Sequence, residues 1–210
     1  WSAVGGAVAI LGAVRLSAAV DARWGKKNGT SVWTGALLAV APLFWMSGLR
    51  PMSDMPGLAA VLWSQALLVE GFGSGGACVL GALLAGLAGG IRIQTLALTT
   101  PLLLIALIAQ WRAGGWRGSV RPLVAAGVGV AVWAVPLLVV SGGLQAYLAA
   151  LGTQAGEDFA WVNMLWMQPT PRRAAIALYE TFALPWALPA LARVVGVVAF
   201  VGLVRSAVQT

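Results

Sequence analysis

"GALLAGLAGGIRIQTLALTTPLLL", residues 81–104, joins two apolar runs through a short polar junction. The first run carries Gly81, Ala85 and Gly89 at four-residue spacing, with Cys78, Ala82, Gly86 and Gly90 on the adjoining stripe. Residues four apart share one face of a helix. Small residues on such a face let a neighbouring helix approach closely, as membrane helices do. Gly89-Gly90 and Arg92 separate the first run from the second, which carries Pro101 in its interior. Membrane helices tolerate such a proline, because neighbouring groups satisfy the freed carbonyl. The stretch therefore reads as one membrane helix, a brief junction and a second membrane helix.

The rest of the chain repeats that pattern. Its 210 residues are 60% hydrophobic and only 9% charged, against about 25% charged in a soluble domain. That leaves too few charges to coat a water-facing surface. The net charge is +7, but the basic residues are scattered between apolar spans and form no stripe, which argues against a nucleic-acid partner. There is no histidine, so histidine-ligated metal sites and a histidine general base are excluded. The single cysteine, Cys78, lies in an apolar run and reads as a small packing residue.

A membrane-crossing helix needs about 20 apolar residues. Seven candidate spans follow, at 2–20, 31–49, 56–72, 76–91, 95–111, 122–141 and 183–204. The expected fold is all-α: a polytopic transmembrane bundle forming a single membrane domain over 1–210, with 142–182 as an outer loop of interfacial helices. Basic residues set the orientation. One side collects eight: Arg15, Arg23, Lys26, Lys27, Arg112, Arg117, Arg121 and Arg205. The other collects four: Arg50, Arg92, Arg172 and Arg173. The first side is expected to be cytoplasmic. Asn28-Gly29-Thr30 matches a glycosylation acceptor but falls on that side. Trp24, Trp33, Trp111 and Trp116 read as headgroup anchors.

The unusual polar residues gather on the opposite, outer side. "GLRPMSDMPGL", residues 48–58, places Arg50 and Asp54 at the start of the third span. Arg92 and Gln94 occupy the junction between the fourth and fifth. Ionisable groups at membrane depth are costly and often functional. Each also has a structural reading. Asp54, just before Met55-Pro56, caps a helix whose first turn holds Pro56. Arg50 precedes proline and is biased to extended backbone, where it meets headgroups. Arg92 snorkels to phosphates. Glu157 and Asp158 lie farther on in the outer loop. There Leu144, Tyr147, Leu148 and Leu151 form one face of an interfacial helix, and "FAWVNMLWM", residues 159–167, is apolar but too short to span.

"LRPMSDMPGL" resembles the Arg-x-x-x-Asp element that opens a helix in GT-C class membrane glycosyltransferases, of the protein O-mannosyltransferase, aminoarabinose transferase and lipopolysaccharide-core transferase kinds. "GALLAGLAGGIRIQTLALTTPLLL" resembles their Gly-rich helix ending in an outward arginine, followed by a helix containing Pro-Leu-Leu. The resemblance implies a many-helix enzyme with its site at the outer membrane face, in a bacterial inner membrane with the site facing the periplasm. It implies a polyprenyl-phosphate sugar as donor and a glycan, lipid or protein as acceptor. Arg50, Asp54, Arg92 and Gln94 would then bind substrate, with an outer-loop contribution from Glu157 and Asp158. Those two acids also leave room for a divalent metal ion. In that class the catalytic acid follows the first helix, and the span at 2–20 resembles the second. The expectation is therefore a fragment whose catalytic acid lies upstream of Trp1. Two other readings stand beside it: a transporter or flippase, with a polar site near Gln65 or Arg193 in mid-span, and a membrane subunit without chemistry.

Overall fold

The computed structural model describes residues 1–23, 30–50, 52–72, 75–159, 169–186 and 188–208. Lys26, Lys27, Trp24, Asn28-Gly29 and almost all of 159–167 fall outside the described residues. Those that are described form nine α-helices and one 3-10 turn, with no strand among them. They divide into two compact units, Trp1–Val40 with Phe44–Leu144, and Ala41–Leu43 with Gln145–Thr210.

In the first unit α1 (Ser2–Arg23), α2 (Thr30–Val40), α3 (Pro42–Leu49), α4 (Asp54–Glu70), α5 (Gly75–Ile91) and α6 (Gln94–Val140) follow in order. The packing order is α2, α1, α4, α5, α6, with α6 also reaching α4. The interior is built from small residues. Ala9, Ala66, Ala82, Ala88 and Ala106 are fully buried, and Leu68, Cys78, Ala82, Ala106 and Ala126 form a common core. A few large side chains of α4, such as Leu67 and Leu68, join them, while many others point outward, with Leu104, Ile105 and Ile108 all more than half exposed. Small-inside, large-outside packing suits a solvent as apolar as the side chains themselves. Side chains also tie the helices to one another. Ser64 Oγ donates to the Gly81 carbonyl at 2.9 Å, Gln65 Nε2 to Leu98 at 3.0 Å, and Trp133 Nε1 to Gly86 at 2.9 Å.

α6 is two arms. Gly115 has φ 63° and ψ −161°, a backbone conformation open to glycine and costly for other residues. The chain reverses there. Ser119 Oγ donates to the Leu107 carbonyl at 2.8 Å, although twelve residues of straight helix would part them by about 18 Å. Leu96 and Trp133 both border Gly89, so the two arms run back alongside α5. A methyl group on Gly86 or Gly129 would strike the backbone of the other helix, so α5 and the second arm meet backbone to backbone.

By length and hydropathy α1 and α6 are able to cross a membrane. A third crossing is added if α2 and α3, bent by 59° at Ala41, count as one broken span. The expected seven spans are not supported. Proline at 42 breaks the run at 31–49, as its missing N–H and ring demand. α4 and α5 have only 17 residues each. The run at 183–204 is a 3-10 turn at Leu184–Trp186 followed by α9 (Pro189–Val208).

The second unit holds most of α7 (Leu144–Phe159), then α8 (Pro171–Phe182), the 3-10 turn and α9. Thr170 caps α8, its hydroxyl accepting from the Arg173 amide at 3.3 Å, with Pro171 in the first turn. The 3-10 turn packs against both α8 and α9.

Candidate functional site

α4 is the central helix of the first unit, and its two ends carry the unit's ion pairs. Asp54 is its first residue. A carboxylate there meets the positive end of the helix dipole. The preceding turn is held by Ser2 Oγ, which donates to the Met52 carbonyl at 3.2 Å, and by the Gly57 amide, which donates to Ser53 at 2.9 Å. Arg92 lies between α5 and α6. Its amide donates to Ala88 at 3.2 Å, and its carbonyl accepts from the Thr95 amide at 3.0 Å and from Thr95 Oγ1 at 2.7 Å. With its backbone so fixed, Arg92 directs its guanidinium to Asp54, forming an ion pair through Nη1 and Oδ1. Its Nε donates to Gln94 Oε1 at 3.2 Å.

The structure thus brings Asp54, Arg92 and Gln94 together from three helix ends. Both members of the ion pair remain partly open to the surroundings. The pair occupies one guanidinium nitrogen and the Gln94 contact another. An arginine fork has five N–H donors, so the remaining ones can meet an oxyanion. A groove of about 390 Å³ runs between α1 and α4, lined by Val4, Val8, Pro56, Ala60 and Trp63 among others. Its walls are apolar, and its α4 residues lie on the helix face turned away from Asp54.

Arg50 is placed otherwise. It is exposed, its amide donates to Ser47 at 3.3 Å and its carbonyl accepts from Met52 at 2.8 Å. Among the described residues its side chain has no ion pair. Glu157 and Asp158 belong to α7 in the second unit. Glu157 is exposed, and the Asp158 side chain lies outside the described residues. Among the described residues no three acidic or thiol groups gather in a way that would hold a metal ion. Gln65 is spent on the Leu98 carbonyl. Arg193 lines a cavity of about 300 Å³ with Tyr179, Ala183, Leu184, Pro189 and Ala192, within the second unit.

Sequence reasoning missed the other ion pair. Arg15, counted above as a topology charge, donates from Nε to Glu70 Oε1 at 2.8 Å and from Nη2 to Oε2 at 2.9 Å. Its guanidinium also lies 4.9 Å from the centroid of the Trp63 ring, whose Nε1 donates to Val8 at 3.0 Å. The signal was present in Glu70. A carboxylate on the last residue of a helix opposes the dipole and calls for a cation.

Comparison with protein-family models, with curated proteins and with solved structures finds no match for this chain.

Proposed function

We propose that this chain belongs to an integral-membrane glycosyltransferase of the GT-C kind, which transfers a sugar from a polyprenyl phosphate at one membrane face. The observation that carries the reading is the meeting of Asp54 and Arg92. These residues are 38 positions apart in the chain, both were singled out by motif, and they pair at one end of the bundle. In the reaction an acceptor hydroxyl attacks the anomeric carbon, the carbon–oxygen bond to phosphate breaks, and polyprenyl phosphate departs with the bonding electrons. Arg92 holds the phosphate oxygens, which a guanidinium grips with parallel hydrogen bonds. Gln94 aims Arg92, and Asp54 holds the guanidinium until the phosphate takes its place. The general base is left unassigned.

The transporter reading has one observation in its favour, the cavity at Arg193. Against it stands Gln65, whose amide is already satisfied between helices. Transporter sites form near mid-membrane from broken helices in repeated halves.

Thermal protection of the purified protein by polyprenyl phosphate, with the matching polyprenol as control, tests the proposal. The phosphate is expected to protect at concentrations where the alcohol does not. Arg92→Ala is expected to raise the half-saturating concentration at least tenfold. That matches a charged hydrogen bond of about 1.5–3 kcal/mol. Asp54→Ala, which frees Arg92, is expected to retain protection. Equal protection by the alcohol, or an unchanged response in Arg92→Ala, overturns the role given to Arg92.

A further inference from the structure

At the end of the first unit opposite Asp54, a second cavity opens between the start of α5 and the second arm of α6. It has a volume of about 790 Å³, and Gly75, Gly76, Gln110, Arg117 and Arg121 line it together with Val120. Arg117 and Arg121 are one helical turn apart, so both guanidinium groups stand on one face. Like charges at that spacing repel one another, and among the described residues neither has an acidic partner. The acids of this unit are otherwise engaged: Glu70 with Arg15, Asp54 with Arg92, and Asp21 with the Thr30 hydroxyl. Among the described residues, methyl groups on Gly75 or Gly76 would meet nothing within 4 Å, so this side of the cavity is not filled by packing.

The walls say which anion. Val79, Val120 and Pro122 supply an apolar side, and Trp116 is exposed at the rim. An indole in that position sits at the headgroup level of a bilayer. Gln110 forms the back wall. It is buried, and its amide donates to the Gly71 carbonyl, so the wall is fixed in place. A fixed basic pocket between membrane helices, with an apolar flank and an aromatic rim, suits a phosphate diester whose acyl chains continue into lipid. We infer that this cavity is a binding site for the phosphate headgroup of an anionic phospholipid, held by Arg117 and Arg121. It lies at the other end of α4 from the proposed donor site and does not depend on that proposal. The arginines read from sequence as topology charges would then have a second task, anchoring α5 to the reversed arm of α6 through a bound lipid.

The test is thermal protection of the purified protein in detergent, titrated with phosphatidylglycerol, phosphatidylcholine, glycerol 1-phosphate or inorganic phosphate. Phosphatidylglycerol is expected to protect saturably and at least tenfold more effectively than phosphatidylcholine. The two soluble phosphates should compete only weakly. Arg117→Gln with Arg121→Gln is expected to raise the half-saturating concentration of phosphatidylglycerol at least tenfold. Arg112→Gln, a neighbouring arginine outside the cavity lining, should leave it within twofold. Should the double variant not fold, each single variant is expected to give an intermediate loss. Protection that the arginine variants leave unchanged overturns the site, and so does equal protection by phosphatidylcholine. Inorganic phosphate protecting as well as the lipid overturns the lipid assignment in favour of a soluble anion.

Discussion

The two ends of α4 each carry an acid paired with an arginine from another part of the chain, and they are built differently. Exposure does not separate them: the side chains are 39% and 32% exposed in Arg15–Glu70, and 42% and 34% in Arg92–Asp54. What separates them is the helix between. Asp54 sits where the dipole favours a carboxylate, so it is stable without Arg92. Glu70 sits where the dipole opposes one and depends on Arg15. At the Glu70 end the arginine uses both fork nitrogens and stacks on Trp63. At the Asp54 end it makes one pairing and a side contact to Gln94. The first arrangement is a clamp. The second can exchange its partner for a ligand at small cost, and a ligand site needs that freedom.

The glycines beside each acid give the largest test of this difference. A Cβ on Gly71 would collide with the backbone of Cys78, which leads α5 away from the Glu70 end. Gly71→Ala is expected to cost about 2–3 kcal/mol, the scale of overpacking a tight interior. Unfolding in mixed detergent micelles would measure it. Gly57→Ala, near Asp54, would press only on the Thr95 methyl at 3.3 Å, with Arg92 Cβ at 3.7 Å and an Ile91 methyl at 3.9 Å in ordinary contact, and should cost much less, under about 1 kcal/mol. Equal losses would mean that the two ends are equally rigid.

Next in size is Gln110→Met. It removes the buried donor to the Gly71 carbonyl while keeping volume. An acceptor left unsatisfied costs about 1–3 kcal/mol, and the same unfolding measurement should show a loss in that range. Smaller still is the contrast between the arginines. Arg15→Ala strands Glu70 at the wrong end of the dipole and loses the indole contact. The expected cost is about 1–2 kcal/mol, combining an exposed pair with a cation–π term. Arg92→Ala leaves Asp54 at a favourable helix start and should cost about 0.5 kcal/mol or less. A reversed order would make the Asp54 end the clamp.

Much of the first unit was legible in the sequence. The apolar runs at 56–72 and 76–91 are helices, lying within two residues of α4 and α5 at each end. The runs at 95–111 and 122–141 correspond to the two arms of α6, because Gly114-Gly115 falls between them. The small-residue stripe at Gly86 does meet a close-packed neighbour, through Gly129. Less was legible where local pattern and tertiary packing part. Hydropathy could not tell that Pro42 breaks a run while Pro101, Pro122 and Pro136 stay inside α6. The outcome depends on which neighbours satisfy the freed carbonyls. Asp54 and Arg92 were each visible as polar residues at span ends. Arg15–Glu70 was not, since a pairing across 55 positions has no local signature beyond an acid at the wrong end of a helix. Arg50 shared the motif with Asp54, yet among the described residues it is exposed and forms no ion pair.

Double-mutant cycles on both ion pairs, with and without saturating polyprenyl phosphate, compare the two ends most directly. The Arg15–Glu70 coupling is expected to be about 1 kcal/mol and unaffected by the lipid. The Asp54–Arg92 coupling is expected to fall toward zero as phosphate takes over the guanidinium. If the lipid leaves both couplings unchanged, or weakens Arg15–Glu70 instead, Arg92 is a structural partner of Asp54 and the donor site is not there.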